Sequence, residues 1–452
     1  MRSKKTDRSL WLGVAGLGAC LAMSVAIRRM RLANIRGEVV LITGGSRGLG
    51  LALAREFARL DCRIAICARD EAELERARSS LEKDGADVLA VPCDVSDNSQ
   101  VQNLIDSVRS RFGRVDNLVN NAGVITVGPV ENMTLQDFEA AMAVMFWGVV
   151  YPTLAVADEM RSRGTGRIAT ITSIGGKVSV PHLLPYCCAK FAAVGFCEGL
   201  RTELNRFGVK VITIAPGLTR TGSYRRAQFK GAHPDEALWF TLSATLPFLS
   251  MGAERAARQI VRAVRAGRPE KILSTQAVVL ARANGVLPGV VPNILSIANR
   301  LLPAGTPDRD SMITGAQAEA SKGTLFRAMT TLGRRAAERL NENFESGRGP
   351  QSKSGQESLM ANLKGRRRGN MNNPSSKSDA GDGRQVDRIR EPLEQSTEGP
   401  SHAEISARAY ELWVEEGQPS DAAERNWLNA ERELGMKRAA PETPRRSSTR
   451  AA

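Results

Sequence analysis

Between residues 38 and 275, short apolar runs alternate with stretches whose apolar positions recur every three or four residues. The runs Val39–Thr43, Ile64–Ala68, Val88–Val91, Leu118–Val119, Ile168–Thr172, Val211–Ala215 and Ile272–Leu273 predict strands buried on both faces. Leu49–Leu60, Asp70–Lys83, Val101–Phe112 and Phe191–Phe207 carry the helical period. Seven strands with helices between them predict an α/β domain, a Rossmann-type doubly wound parallel seven-stranded sheet.

The flanks read differently. Leu10–Ile27 is uncharged and lies between Arg2, Lys4, Lys5 and Arg8 on one side and Arg28, Arg29, Arg31 and Arg36 on the other. As a helix it would be ~27 Å long, close to the roughly 30 Å hydrocarbon layer. An uncleaved membrane anchor over 1–37, a cleaved signal peptide and a merely sticky terminus all remain open, although the arginines after Ile27 argue against cleavage. Cations on both sides leave the orientation unspecified. After 275, a 276–345 extension holds Gln276–Pro303, interrupted by Arg282, Asn284, Pro288 and Pro292, which suits short amphipathic helices capping the substrate side or touching a membrane rather than a second span. Thr324–Phe344 has helical character. Residues 346–400 contain no Phe, Tyr or Trp and 24 of Gly, Ser, Asn or Pro, the composition of a disordered linker. Residues 401–436 regain pattern: Ile405, Ala409, Leu412 and Trp413 share one helical face, and after Gly417-Gln418-Pro419 a second face carries Trp427, Leu428 and Leu434. A helical hairpin for contact with a protein partner is expected there, followed by a basic tail at 437–452.

Charge and composition narrow the class. The net charge is +15, of which residues 1–37 contribute +7. That distribution suits a membrane surface, and without a recognisable nucleic-acid motif no nucleic-acid partner is expected. The seven cysteines form no C-x-x-C pair and the chain has three His, so neither a disulfide framework nor a metal site is expected.

The first strand runs directly into Thr43-Gly44-Gly45-Ser46-Arg47-Gly48-Leu49-Gly50 and then a helix. Glycines there permit a tight turn, close approach of backbone to a pyrophosphate, and close helix–strand packing, while the helix N-terminus attracts phosphate charge. With this motif the chain resembles the short-chain dehydrogenase/reductase family over about residues 36–275. The family's T-G-x-x-x-G-x-G is met at 43–50, and its adenine-site Asp-Val pair is similar to Asp94-Val95. Asn120-Asn121-Ala122-Gly123, the Y-x-x-x-K motif Tyr186–Lys190 with Ser173 upstream, and Pro216-Gly217 followed by Thr221 match in order. The hairpin resembles a short bacterial domain of unknown function through Arg408–Trp413 and Trp427-Leu428, which implies a bacterial source.

The resemblance implies Ser173, Tyr186 and Lys190 as catalytic residues. It implies a cofactor site from Gly44, Ser46, Arg47, Gly48, Leu49, Gly50, Arg69, Asp94, Val95, Asn121, Ala122, Gly123, Tyr186, Lys190, Pro216, Gly217 and Thr221. Tyr186 and Lys190 share a helical face. A phenol titrates near 10, and a neighbouring ammonium together with an oxidised nicotinamide would favour the phenolate. Where NAD-preferring relatives place an acid, this chain has Ala68 followed by Arg69, and Arg47 stands in the Gly-rich turn. Two guanidinium groups and no carboxylate imply NADP(H). The family's substrate lid spans Thr221–Met251, here rich in Tyr224, Phe229, Trp239, Phe240 and Phe248, which suits an apolar substrate wall or an oligomer contact. One departure stands out: Met145 lies where the family usually has an Asn that holds a proton-relay water.

The expected function is therefore NADP(H)-dependent interconversion of a carbonyl and an alcohol on a small lipophilic substrate. The enzyme would be a homo-oligomer, anchored to a membrane with its catalytic domain facing the cytoplasm. The alternative is a catalytically weak NADP-binding membrane scaffold that recruits partners through its C-terminal module.

Overall fold

The computed structural model describes residues 32–308, 311–320 and 330–342 and, further along, 405, 408, 409, 411, 412, 415 and 423–439. The expected anchor and the 346–400 linker lie outside the described residues, as does most of the basic tail. The chain divides into two units, 1–351 and 352–452.

The first unit opens β1 (Val39–Thr43), α1 (Gly48–Ala58), β2 (Arg63–Ala68), α2 (Glu71–Lys83), β3 (Val88–Pro92), α3 (Asn98–Phe112), β4 (Asn117–Asn120) and β5 (Thr126–Val127). A long helical stretch follows as α4 (Leu135–Met142), a π-turn at Ala143–Trp147, and α5 (Gly148–Arg163). Then come β6 (Gly166–Ile171), α6 (Leu184–Leu204), β7 (Val209–Ala215), β8 (Thr219–Arg220), β9 (Gln228–Lys230) and α7 (His233–Thr245). The unit continues through β10 (Met251–Gly252), α8 (Ala253–Arg265), β11 (Glu270–Ile272), α9 (Thr275–Val286) and α10 (Val290–Asn299). It ends with β12 (Met312–Thr314), α11 (Gly315–Ala320) and α12 (Thr331–Arg339).

All seven sequence-predicted strands enter one sheet in the order β11-β7-β6-β4-β1-β2-β3, and every pair in it is parallel. Alternation along β1 divides the core between the two faces. Val40 and Ile42 pack with Leu51, Phe57, Ile260 and Val264 from α1 and α8. Val39 and Leu41 pack with Leu104, Val108, Val156 and Met160 from α3 and α5. The strand order reverses between β1 and β4, and ligands of open α/β sheets bind at the carboxyl ends of strands at such a switch point. Thr43 ends β1 and Asn120 ends β4 there.

The α4–α5 stretch is long and apolar enough to cross a membrane, but half of its most apolar window is buried in the domain. Val156 and Met160 put it in the sheet's core, so it is a core helix. The region expected to be a lid folds into a satellite with its own core, where Tyr224, Phe229 and Phe240 are buried with Val127, Ala227, Ala237 and Ala318. A small sheet, β12-β9-β5, ties that satellite to the loop after β4. The expected apolar wall is corrected accordingly: these three rings hold the lid together, while Phe248 is 87% exposed and Leu249 is also exposed.

In the second unit, α13 (Ala423–Ala439) is the longest described element. Arg408 Nε pairs with Glu433 at 2.8 Å and Arg408 Nη1 with Glu411 at 3.0 Å. Ile405 and Ala430 are buried. The Arg408–Glu433 ion pair joins the two helical segments expected there.

Candidate active site

Thr43 fastens the end of β1 to the end of β4. Its hydroxyl accepts hydrogen bonds from the backbone N–H of Asn121 at 2.9 Å and Ala122 at 3.1 Å. Asn121 Nδ2 returns two bonds, to the carbonyls of Thr43 and Gly44, each 3.0 Å. Asn120 is buried and donates to Thr153 Oγ1 at 2.9 Å, anchoring α5 to the sheet. The two motifs separated by some 70 residues thus form one hydrogen-bonded crevice floor.

Space explains two of the motif glycines without any ligand. A Cβ on Gly44 would lie 2.9 Å from Ala122 Cα, and one on Gly50 would lie 2.0 Å from the Gly44 carbonyl oxygen. Gly48 is different. It has φ +55°, and a Cβ there would have the Glu342 carboxyl at 2.7 Å and Thr221 Cβ at 3.7 Å among its nearest neighbours. Gly48 begins α1, whose N-cap, Arg47, makes no side-chain cap. A helix start without a side-chain cap, faced by a glycine, fits a phosphate group, although in this structure the Gly48 N–H is held by the Leu340 carbonyl and the Glu342 carboxyl faces the glycine. Thr221, of the Pro216-Gly217…Thr221 motif, is brought to the same loop although 173 positions separate it from Gly48. Pro216 and Gly217 are held by Ile174 N–H donating to the Pro216 carbonyl at 2.8 Å and by the Gly217 N–H reaching the Leu273 carbonyl at 3.4 Å.

At the strand ends further out, Asp94 accepts from Ser96 N–H at 2.9 Å and Ser96 Oγ at 2.7 Å, and its other oxygen lies 3.9 Å from Arg69 Nη1. Val95 is buried against Gly148. Arg69 is largely exposed, whereas Arg47 is engaged: its Nη1 donates to both carboxylate oxygens of Glu73, at 3.1 and 2.9 Å. Arg226 pairs with the same carboxylate. The expectation of two arginines and no carboxylate is therefore corrected. Glu73 sits in the first turn of α2, so its approach to Arg47 depends on how α2 packs beside the loop. Ser46 is buried, Leu49 half-buried.

The reacting end is built on α6 and the end of β6. The Ser173 side chain acts on the Tyr186 phenol, favouring its ionised form, and its hydroxyl accepts from Gly175 N–H at 3.0 Å. A Cβ on Gly175 would come within 3.1 Å of the Tyr186 ring, so this glycine sets how close the ring stands. Lys190 is buried, and its Nζ donates to the Ile171 carbonyl at 2.8 Å. Burial pushes the Tyr186 phenol up to about 12, against the opposing bond from Ser173. Burial brings the Lys190 ammonium down to about 8. The chain alone thus holds Tyr186 protonated, and the expected favouring of the phenolate is not supplied by the protein.

Met145 is buried in the π-turn between α4 and α5, a feature frequent at functional sites. A Cβ on Gly123 would lie 3.7 Å from Met145 Sδ and 3.9 Å from Lys190 Nζ, so the thioether and the ammonium face the same glycine. A second group not foreseen from sequence lies just before α6. His182 Nδ1 is 2.7 Å from Glu236 Oε1, and Trp239 Nε1 donates to Glu236 Oε2 at 2.7 Å, with Glu236 fully buried. These contacts dock the lid helix α7 onto the segment that leads to Tyr186. Only the helical spacing of the Tyr186 motif was visible in sequence; nothing in it tied residue 182 to residue 236.

Residues 38–230 match the family model of the short chain dehydrogenase, and residues 400–435 match a family model described as a protein of unknown function. An Anopheles gambiae dehydrogenase/reductase SDR family protein 7-like is 36% identical over 219 residues, covering 47% of this chain and 69% of the relative. The Bos taurus 3-ketodihydrosphingosine reductase is 33% identical over 50% of this chain and 68% of the relative. A putative oxidoreductase SadH of Mycobacterium tuberculosis is 32% identical over 56% and 93%. A solved short-chain dehydrogenase from Streptomyces avermitilis superposes with a TM-score of 0.50 at 28% identity, covering 58% of this chain and 98% of that one.

Proposed function

Since the chain belongs to the short-chain dehydrogenase/reductase family and is an oxidoreductase of alcohol or carbonyl groups, we propose that it interconverts a lipophilic carbonyl and its alcohol with NADP(H), at a membrane. The observation that carries this reading is the Ser173–Tyr186–Lys190 cluster, in which Ser173 acts on the Tyr186 phenol and the buried Lys190 ammonium stands 5.7 Å from the centre of its ring. The bound nicotinamide supplies or accepts the hydride. In the reducing direction Ser173 and Tyr186 donate hydrogen bonds to the substrate carbonyl oxygen, and Tyr186 gives up its proton to that oxygen as the alkoxide forms. Burial raises this phenol, so it arrives protonated, as the reducing direction requires. Positioned acid–base help of this kind is worth about 10²–10⁴-fold.

Gly44, Ser46, Gly48, Leu49 and Gly50 would hold the pyrophosphate, Asp94 and Val95 the adenine, and Asn121, Ala122 and Gly123 the central crevice. Pro216, Gly217 and Thr221 would hold the nicotinamide, beside Tyr186 and Lys190. Arg47 and Arg69, now joined by Arg226, support a 2′-phosphate. With Glu73 as their shared counter-ion, Arg47 and Arg226 keep one positive charge between them.

A lipophilic substrate is supported by exposed Leu184, Leu218 and Phe248 on the Tyr186 and lid side and by the relative named for reducing 3-ketodihydrosphingosine. Membrane attachment is supported by the uncharged, basic-flanked stretch Leu10–Ile27 and by exposed Val279, Val286, Ile294 and Ile297 on α9 and α10 near Arg282 and Arg300. Trp147, Leu154 and Phe191, exposed on the α5–α6 side, support self-association. The assembled cluster weighs against a catalytically weak scaffold.

The test is NADPH oxidation with a panel of lipophilic ketones and aldehydes presented in vesicles. Turnover is expected, lost in Tyr186→Phe with NADPH binding kept. Turnover retained in that variant would remove the mechanism.

A further inference from the structure

After α12 the chain crosses directly over the Gly-rich loop. The N–H of Gly48, the first residue of α1, donates to the Leu340 carbonyl at 2.8 Å. Asn341 Nδ2 donates to the carbonyls of Ser46 and Glu73, both at 2.9 Å, and Asn341 Oδ1 accepts from Arg76 Nε at 3.0 Å. Asn341 has φ +58°, a left-handed turn that Asn tolerates better than most residues. That turn swings Glu342 back into the crevice. Its side chain is 3% exposed, one carboxyl oxygen lies on the open side of Gly48, and the other lies 3.4 Å from Arg47 Nε. That second oxygen accepts no hydrogen bond from the described residues. Upstream, Gly222, next to Thr221, leaves room for Ala337 of α12, whose backbone would touch a Cβ there.

The anion-attracting start of α1 is therefore taken twice, its first N–H by a carbonyl and its open face by a carboxyl. A phosphate approaching over Gly48 needs the same N–H and the same space. We propose that Leu340, Asn341 and Glu342 form an intramolecular strap in the dinucleotide's phosphate position, so that these residues, displaced on binding, set the enzyme's cofactor affinity. The strap is built to be displaced: its bonds are directional and few, and one Glu342 oxygen, although 3.4 Å from Arg47 Nε, accepts no hydrogen bond from the described residues, which costs free energy when buried. The inference rests on the reading of this crevice as a dinucleotide site.

The experiment uses the full-length protein and calorimetric titration with NADPH and NADH. Asn341→Ala removes the bonds to Ser46 and Glu73, and Glu342→Ala removes the obstructing carboxyl; a thermal melt checks that both remain folded. Each is expected to bind NADPH about tenfold more tightly than the natural protein, the size of about one net intramolecular hydrogen bond. In the natural protein, NADPH is expected to speed hydrogen exchange in peptides covering 331–342, because the strap leaves. A strap that instead supports the bound cofactor predicts the opposite signs: weaker binding in both variants and slower exchange on binding. Either of those, or unchanged affinity in the variants, overturns the proposal while leaving the cofactor reading intact. No binding of either dinucleotide to any of the three proteins overturns both.

Discussion

Lys190 follows Tyr186 by one turn of α6, and its ammonium stands 5.7 Å from the centre of the Tyr186 ring while donating to the Ile171 carbonyl at the end of β6. The lysine thereby links the phenol's helix to the sheet, and no carboxylate is among the groups that shift it. Burial is the main influence on its charge, opposed in part by the Cys197 thiol, and that makes the charge sensitive to pH.

The ammonium is held near 8, below its ordinary 10.5, so it is present below about pH 8 and lost above. Reductive turnover is expected to fall as pH rises through about 8. In Lys190→Arg the falling limb should move at least one pH unit higher, since a guanidinium stays charged. A natural profile that is flat between about pH 7 and 9.5 would contradict a role for this charge.

Met145 offers a weak acceptor sulfur and no donor beside Lys190. Met145→Asn is expected to raise kcat several-fold, a part of the roughly 10²–10⁴-fold available to positioned acid–base catalysis, with cofactor affinity unchanged. The measurement is kcat on a good substrate together with NADPH affinity. An unchanged or lower kcat would show that this enzyme moves its proton without such a relay.

Arg47 and Arg69 lie at the loop and strand ends where a 2′-phosphate would sit, although Arg47 already shares Glu73 with Arg226. Replacing both by Ala should erode NADPH over NADH preference by about tenfold or more, charge-assisted bonds contributing about 1.5–3 kcal/mol each. Glu73→Gln should sharpen the preference, because it removes the competing carboxylate. Equal affinities for NADPH and NADH in the natural protein would sink the preference itself.

Glu342 is raised to about 7 by burial, which outweighs the attraction of Arg47, Arg226 and Arg225 and is reinforced by repulsion from Glu73. In the strap its neutral form is favoured; once displaced into water it titrates near its ordinary 4.5. Displacement therefore releases a proton between those values, and dinucleotide affinity should rise with pH up to about 7 and level off above it. The slope is at most about tenfold per pH unit for one proton. Measuring the same pH series in Glu342→Gln cancels the titration of the dinucleotide's own phosphates. Identical slopes in the two proteins would show that Glu342 does not titrate on binding.

The parallel sheet was legible because strands buried on both faces must be apolar throughout, and Val39–Thr43 or Val211–Ala215 cannot hide that. Gly44–Gly50, Asn120–Gly123 and Tyr186–Lys190 were legible because each compresses its geometry into a few adjacent positions: a turn, a strand end, one helical face. Glu73 on Arg47, Glu342 over Gly48 and Glu236 on His182 were not legible. A carboxylate carries no periodic signature, and its partner lies 26, 294 or 54 positions away, chosen by how helices dock rather than by local spacing. The lid's Tyr224, Phe229 and Phe240 show the same limit from the apolar side. Sequence sets that such rings must leave water; only the packing of β9 against β5 and β12 decides that they leave it for each other and not for a substrate.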